Sequence, residues 1–285
     1  MAKLYVVATP IGNLQDWTPR AIETLRNADL IAAEDTRVTG ILCHAYDIRT
    51  PITSCHQHNE DTKGIHLAEK IAAEDLTAAL TTDAGTPCVS DPGYPLVRAC
   101  WDRGIEVQPV PGCCAAIAAL SISGFDAREF SFYGFLPREK KALREKLRML
   151  AKETKVALIH ESPFRVIELV KTITEELPDA KLSISCDLTK MHEKTLQGTP
   201  AELLTALQEN PKTEKGEYCL VLDLHDVQDL HKEAEMGELS LEARIIEEMT
   251  RNGLNLRDAQ SELMMAGEKK NAVKQAALNL KKMFE

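Results

Sequence analysis

Short runs of apolar and β-branched residues recur along the first half of the chain, over Lys3 to Ala8, Asp29 to Ala33, Leu76 to Thr82 and Ile105 to Val110. Each is ended by Gly, Pro, Asp or Glu, the pattern of buried strands that stop in loops. Between them apolar positions fall at helical spacing over 18–28, 60–74 and 93–103. The first of these helices opens with Thr18 as N-cap and Pro19 at the first helical position, where a missing N–H costs nothing. Strands alternating with helices predict βαβ units and a mostly parallel sheet.

A second series follows, with strands expected at 130–135, 155–160, 181–187 and 217–224 and helices at 139–152, 164–177 and 200–208. The last helix opens with the capping box Thr199-Pro200-Ala201-Glu202. Beyond 240 strand signals stop, and three helical segments, 240–251, 255–266 and 269–284, follow an acidic stretch at 226–238. The fold class expected is α/β. An N-terminal α/β domain over 1–125 and a second over 126–228 precede a small helical, helix-turn-helix-like domain over 238–285.

Composition narrows the picture. With 285 residues, 44% hydrophobic and 27% charged, the chain has the make-up of a packed protein of more than one domain. The longest nearly uncharged stretch, Pro109 to Phe125, is broken by Pro111, Gly112 and Gly124 and falls short of the ~20 apolar residues of a membrane span. Leu4 to Ala8 is too short for a secretory core, so a cytoplasmic protein with no membrane partner is expected. Eight cysteines without a Cys-x-x-Cys pair read as reduced, mostly buried thiols. His56-x-His58 lacks a third ligand and reads as a polar loop, so no metal is expected.

The net charge is −10, but it is unevenly spread. Residues 138–155 hold eight Lys/Arg against three Glu, and residues 251–285 hold seven Lys/Arg against four Asp/Glu. Helix 139–152 keeps Leu143, Leu147 and Leu150 on one face and cations on the rest, which suits either a phosphate backbone or plain solvation. Lys269, Lys270 and Lys274 near the start of the last helix are candidate RNA contacts, with capping or dimerisation as the other role for that segment.

Ligands of open parallel sheets collect at the carboxyl ends of strands. Four strands here finish in unusual loops: Thr9-Pro10-Ile11-Gly12-Asn13, Glu34-Asp35-Thr36-Arg37, Asp83-Ala84-Gly85-Thr86-Pro87 running on to Ser90-Asp91-Pro92-Gly93, and Pro111-Gly112-Cys113-Cys114. As neighbours they would form one mouth of glycine backbone, small side chains and carboxylates; ordinary βα turns are the alternative. A Walker A pattern is absent and the first loop has one glycine where a dinucleotide fingerprint has three, which favours a ligand without phosphates. S-adenosylmethionine (SAM) fits, its adenosine taking backbone partners and apolar walls and its sulfonium tolerating carboxylates.

The runs Ala8-Thr9-Pro10-Ile11-Gly12-Asn13-Leu14, Glu34-Asp35-Thr36-Arg37, Asp83-Ala84-Gly85-Thr86-Pro87, Ser90-Asp91-Pro92-Gly93 and Glu161-Ser162-Pro163 resemble the tetrapyrrole-methylase superfamily of SAM-dependent methyltransferases. With Leu188-Thr189-Lys190-x-His192-Glu193 and the helical region containing Lys269-Lys270-Asn271, they are most similar to its branch that methylates the ribose 2′-hydroxyl of a cytidine in bacterial 16S ribosomal RNA. The resemblance spans essentially the whole chain. It implies SAM held between two α/β domains, usually in a homodimer, with 16S ribosomal RNA, in the small ribosomal subunit, as partner. It further implies cofactor contacts from Pro10, Gly12, Asp83, Ala84, Gly85, Val89, Ser90, Asp91, Pro111, Gly112, Cys113 and Cys114, and from Ser162, Leu188 and Thr189 of the second domain. The chain departs from its relatives at Cys113-Cys114, where Pro-Ser is usual, at Cys186-Asp187, where Arg-Glu is usual, and at Phe164, where His is frequent.

A ribose hydroxyl is a poor nucleophile until its proton leaves, so a base or a cation beside it is required for fast transfer. Glu34 or Asp35 is the candidate base, with Arg37 beside them. Lys190 is the candidate cation, or the base itself if its pKa is depressed. The alternatives are an ion-paired strand end for the first three and a solvated loop for Lys190, His192 and Glu193.

Overall fold

A computed structural model describes residues 1–57, 60–227 and 240–284. Strands β1 (Lys3–Val7), β2 (Leu30–Ala33), β3 (Ile52–Ser54), β4 (Thr77–Thr81) and β5 (Glu106–Val110) form one all-parallel sheet in the order β3-β2-β4-β1-β5. Helices α1 (Pro19–Asn27), α2 (Thr36–Ala45), α3 (Glu60–Ala73) and α4 (Tyr94–Asp102) alternate with the strands. Both faces are covered: Leu4, Leu67, Ile71, Leu80 and Leu96 pack on one side, and Val7, Leu25, Ile31 and Val110 on the other. Burial on two faces is why these strands read as apolar runs rather than as alternating patterns.

After α5 (Ala115–Ile122) the chain enters a second sheet of β6 (Ser131–Phe135), β7 (Val156–Glu161), β8 (Lys181–Cys186), β9 (Lys194–Gly198) and β10 (Tyr218–Asp223), ordered β6-β7-β10-β8-β9. Only β6 and β7 run parallel; β10 is antiparallel to both its neighbours, and β8 to β9. Helices α6 (Lys140–Glu153), α7 (Val166–Glu176) and α8 (Pro200–Glu209) accompany this sheet. Helix α5 does not pack back onto the first sheet: its Ala116, Ala119 and Leu120 join Val156, Leu158, Cys219 and Val221 of the second, with Ile11 from the first. Residues 1–225 accordingly make one compact unit.

The other unit contains α9 (Leu241–Arg251), α10 (Leu256–Met265) and α11 (Lys270–Phe284) around Ile245, Ala259, Leu263, Val273 and Leu280. Ser240 and Asn255 cap the first two helices. Most of the acidic stretch at 226–238, and His58, lie outside the described residues. Every cysteine is free, with Cys43, Cys55, Cys100 and Cys219 buried. Among the described residues no helix is long and apolar enough to cross a membrane, and no metal-ligating cluster of three side chains occurs.

Four cations of α6 are paired with acidic side chains of α7 and of α6 itself, while Lys146 lies over the Tyr133 ring at 4.8 Å. Lys140 pairs with Glu168 at 3.3 Å, Arg144 with Glu175 and Glu176, Arg148 with Glu176 at 2.6 Å and Lys141 with Glu145 at 4.0 Å. Three of these four partners lie on a different helix, a pairing that counting charge along the sequence cannot detect.

Candidate functional site

The order β2-β4-β1-β5 sets the four unusual loops side by side at one edge of the sheet. They are bonded to one another there. Thr9 and Gly85 exchange backbone hydrogen bonds, Thr9 N–H donating to Gly85 O at 2.9 Å and Gly85 N–H to Thr9 O at 3.2 Å. The Thr9 hydroxyl donates to Thr82 O at 3.1 Å, and the Thr86 hydroxyl to Cys113 O at 3.0 Å. Gly112 allows close approach: a Cβ there would lie 2.9 Å from Ala8 Cβ.

Four carboxylates gather at this edge. Glu34 Oε2 accepts the Thr82 hydroxyl at 2.5 Å and the Asp83 N–H at 3.3 Å, while Asp83 Oδ1 accepts the Asp35 N–H at 3.1 Å. Asp35 caps α2 by accepting the Arg37 N–H at 2.8 Å, and its hydrogen-bonded ion pair with the Arg37 guanidinium holds its carboxyl at about 2. The Arg37 side chain itself is 86% exposed. Burial, reinforced by the negative charges of Glu34 and Asp83, pushes Asp91 up to about 6, and burial with Glu34 also raises Asp83.

Facing these loops, the second sheet completes a cavity of about 370 Å³. From the first half Ile11, Ala84, Ser90, Asp91 and Ala115 line it; from the second come Phe135, His160, Glu161, Ser162, Pro163, Leu188, Glu217, Tyr218 and Cys219. Five of the expected cofactor residues, Ala84, Ser90, Asp91, Ser162 and Leu188, therefore reach the cavity wall. Pro10, Gly12, Asp83, Gly85, Val89, Pro111, Gly112, Cys113, Cys114 and Thr189 sit in the loops that frame it and do not line it.

The unforeseen wall residues Tyr218 and Cys219 have a topological origin. Because β10 is antiparallel, its first residues share an edge with the last residues of β7, Tyr218 opposite Glu161 and Cys219 opposite His160. An apolar run carries no sign of its direction. His160 packs edge-on against Phe132 at 5.1 Å and Phe135 at 6.0 Å, its Nε2 has no hydrogen-bond partner among the described residues, and burial lowers its pKa. Glu161 is fixed by the Ser162 N–H at 2.7 Å and by Arg165 at 3.3 Å.

Lys190 stands on the loop after β8 that reaches back to the first sheet. Asn13 N–H donates to Thr189 Oγ1 at 3.1 Å, and Glu193 accepts the Thr189 N–H at 2.7 Å. Asp187 and Thr189 hold φ of 53° and 66°, a concentration of backbone strain of the kind found at functional sites. The Lys190 stem covers Gly12, where a Cβ would meet its Cγ at 2.6 Å, and its ammonium pairs with Glu217 at 3.0 Å and Asp187 at 3.4 Å. Burial works to lower its pKa, but these two carboxylates outweigh burial and raise it, which removes the depressed-pKa base as a role.

Comparison with known proteins fits this architecture. The profile of the tetrapyrrole (corrin/porphyrin) methylases matches residues 3–204. A Haemophilus influenzae protein named ribosomal RNA small subunit methyltransferase I is 40% identical over 277 residues, 96% of each chain. A Thermotoga maritima protein of the same name is 42% identical over 222 residues, 78% of this chain and 98% of its own. In fold, the solved cobalt precorrin-4 methyltransferase superposes with a TM-score of 0.56 at 15% identity, over 77% of this chain and 94% of that one. From the residues of its cleft to the extent of these matches, the chain belongs to the tetrapyrrole (corrin/porphyrin) methylase family.

Proposed function

We propose that this chain is a SAM-dependent methyltransferase of small-subunit ribosomal RNA, its acceptor the ribose 2′-hydroxyl of a cytidine in 16S ribosomal RNA, working as a cytoplasmic homodimer. The observation that carries the reaction class is the cleft itself, apolar-walled and framed by glycine backbone, with Asp91 and the Glu34–Asp83 pair at one side. These groups suit a ligand that brings an aromatic base, a sugar and a positive charge but no phosphate. The shared name of the relatives supports the substrate. The family match over residues 3–204 lies within the first unit, which supports placing the transfer machinery there.

SAM supplies an activated methyl group on a sulfonium. Ala84, Ser90, Asp91, Ser162 and Leu188 would wall it, with Pro10, Gly12, Asp83, Gly85, Val89, Pro111, Gly112, Cys113, Cys114 and Thr189 shaping the surrounding backbone. For the acceptor proton Glu34 is better suited than Asp35: its Oε2 is anchored and its Oε1 takes no protein hydrogen bond among the described residues, whereas Asp35 is spent on its cap and on Arg37. Lys190, kept charged, is suited to stabilise the developing alkoxide. For docking on RNA, Lys269, Lys270 and Lys274 at the start of α11 remain candidates.

A pH dependence follows from Asp91. A cationic ligand favours the ionised carboxylate, and a carboxyl at about 6 is mostly protonated at acid pH. SAM affinity should rise about tenfold from pH 5 to pH 7 and then level off, as binding linked to one such group requires. Calorimetry checks this, and Asp91→Asn should flatten the profile; a flat profile in the unsubstituted protein would remove Asp91 from the ligand's surroundings.

The substrate is tested by incubating unmethylated small subunits with the protein and SAM and mapping 2′-O-methylation along the ribosomal RNA. A single new modified cytidine is expected. SAM binding without ribose methylation would overturn the acceptor.

A further inference from the structure

Behind the 187–193 loop lies a second cavity, of about 360 Å³, that the methyl-transfer reading does not use. Its floor is aliphatic, made by Ile184, Leu196 and Leu207, and one wall is Tyr218, which also lines the cleft. Lys194, Lys212 and Lys215 stand around it, together with His192 and Asn210. In contrast to Lys140, Arg144 and Arg148 of α6, these three ammonium groups have no ion-pair partner among the described residues. The one carboxylate in the lining, Asp187, is already engaged by Lys190 at 3.4 Å.

Three uncompensated cations around a concave surface focus positive potential, here on a protein whose net charge is −10. The lysines are also held in place. Lys212 and Lys215 share a turn in which Lys212 N–H donates to Asn210 Oδ1 at 3.1 Å and Lys215 N–H to Lys212 O at 3.0 Å. The buried Thr213 pins that turn, its hydroxyl donating to Leu207 O at 2.6 Å and Asn210 O at 2.9 Å. Lys194 opens β9 on the opposite side.

We infer that this cavity seats the phosphodiester backbone of the RNA strand adjoining the target ribose, with Lys194, Lys212 and Lys215 taking its phosphates. The inference rests on the functional reading above for RNA as the substrate. Aliphatic floor and cationic rim match a sugar-phosphate chain. Lysines act as point charges rather than as bidentate forks, which suits contacts that position a strand without reading its sequence. Tyr218 lines both the cavity and the cleft, so the two adjoin and a strand held in one lies next to the other. A free nucleotide offers the same chemistry, and the test separates the two.

The full chain carrying Lys194→Gln, Lys212→Gln and Lys215→Gln is compared with the unsubstituted chain for binding to a single-stranded RNA fragment of the small subunit across a salt series. Affinity should fall tenfold or more near 0.1 M salt, and the salt slope should shrink by about 2, since each single-strand phosphate contact contributes about 0.7. SAM affinity should stay within twofold, and the three Lys→Arg changes should restore binding. Unchanged RNA affinity and slope in the Gln variant would overturn the assignment. So would tight binding of cytidine 5′-monophosphate alone, lost in the same variant, because the cavity would then be a free-nucleotide site. Failure of the unsubstituted chain to bind small-subunit RNA at all would instead bring down the substrate reading, and this assignment with it.

Discussion

Gly93→Val is expected to lower the melting temperature by roughly 5–20 °C and to weaken SAM binding in the same variant. Gly93 holds φ at 124°, where an L side chain is strained, and a Cβ there would lie 2.7 Å from Leu80 Cδ2 and 3.1 Å from Cys88 Sγ. Leu80 is fully buried in β4 and has no room to retreat. The Gly93 N–H also donates to the buried Glu60 Oε2 at 2.5 Å, which ties the start of α3 to the loop carrying Ser90 and Asp91. Strain of about 1–3 kcal/mol and overpacking of about 1–3 kcal/mol act together, and the loop must shift to relieve either. Gly104→Ala is the control, because Gly104 also has positive φ, 69°, but a Cβ there meets nothing within 4 Å and its loop precedes β5, at the opposite end of that strand from the cleft loop. Calorimetric melting and SAM titration of both variants decide the matter: a Gly93→Val protein that binds SAM normally would detach the 88–93 loop from the ligand.

Much of this site was legible in the sequence because Gly, Pro and Asp punctuate strand ends in recognisable ways. The four loops of the first sheet do share one edge, since short βα connections leave parallel strands little other choice. What stayed hidden has physical reasons. Helix α5, Ala115–Ile122, is apolar around its whole circumference and so has no amphipathic period to read. Strand β3 is three residues long, and β9, with Leu196 as its one aliphatic residue, is a half-buried strand at the sheet's edge. Helix α2 begins at residues whose polar character also suits chemistry, and Asp35 turns out to cap it. Glu217 and Tyr218 reach the cleft because β10 reverses direction, which nothing in Tyr218–Asp223 encodes. The α6 cations look free in sequence because Arg144 and Arg148 find Glu175 and Glu176 some thirty positions away.

Lys190→Met is expected to reduce methyl transfer by about 10²- to 10⁴-fold while leaving SAM affinity within threefold, the range that loss of one positioned proton-handling or charge-stabilising group produces. Methionine keeps an unbranched stem of similar length over Gly12, so the packing between the 187–193 loop and the first sheet survives and only the charge is lost. Lys190→Ala would remove both and could not separate them. Because Glu217 and Asp187 hold the ammonium charged, the rate should not rise as pH climbs toward the ordinary lysine pKa, whereas a base at this position would require such a rise. The competing role is structural: by bridging Asp187 and Glu217, Lys190 ties its own loop to the start of β10, next to Tyr218. In that case Lys190→Met should lower the melting temperature and weaken SAM binding in step with turnover, and Glu217→Gln should reproduce the defect. Turnover lost with melting temperature and SAM affinity both retained can arise only if the charge acts on the acceptor, because the strut and the cofactor wall would then be intact.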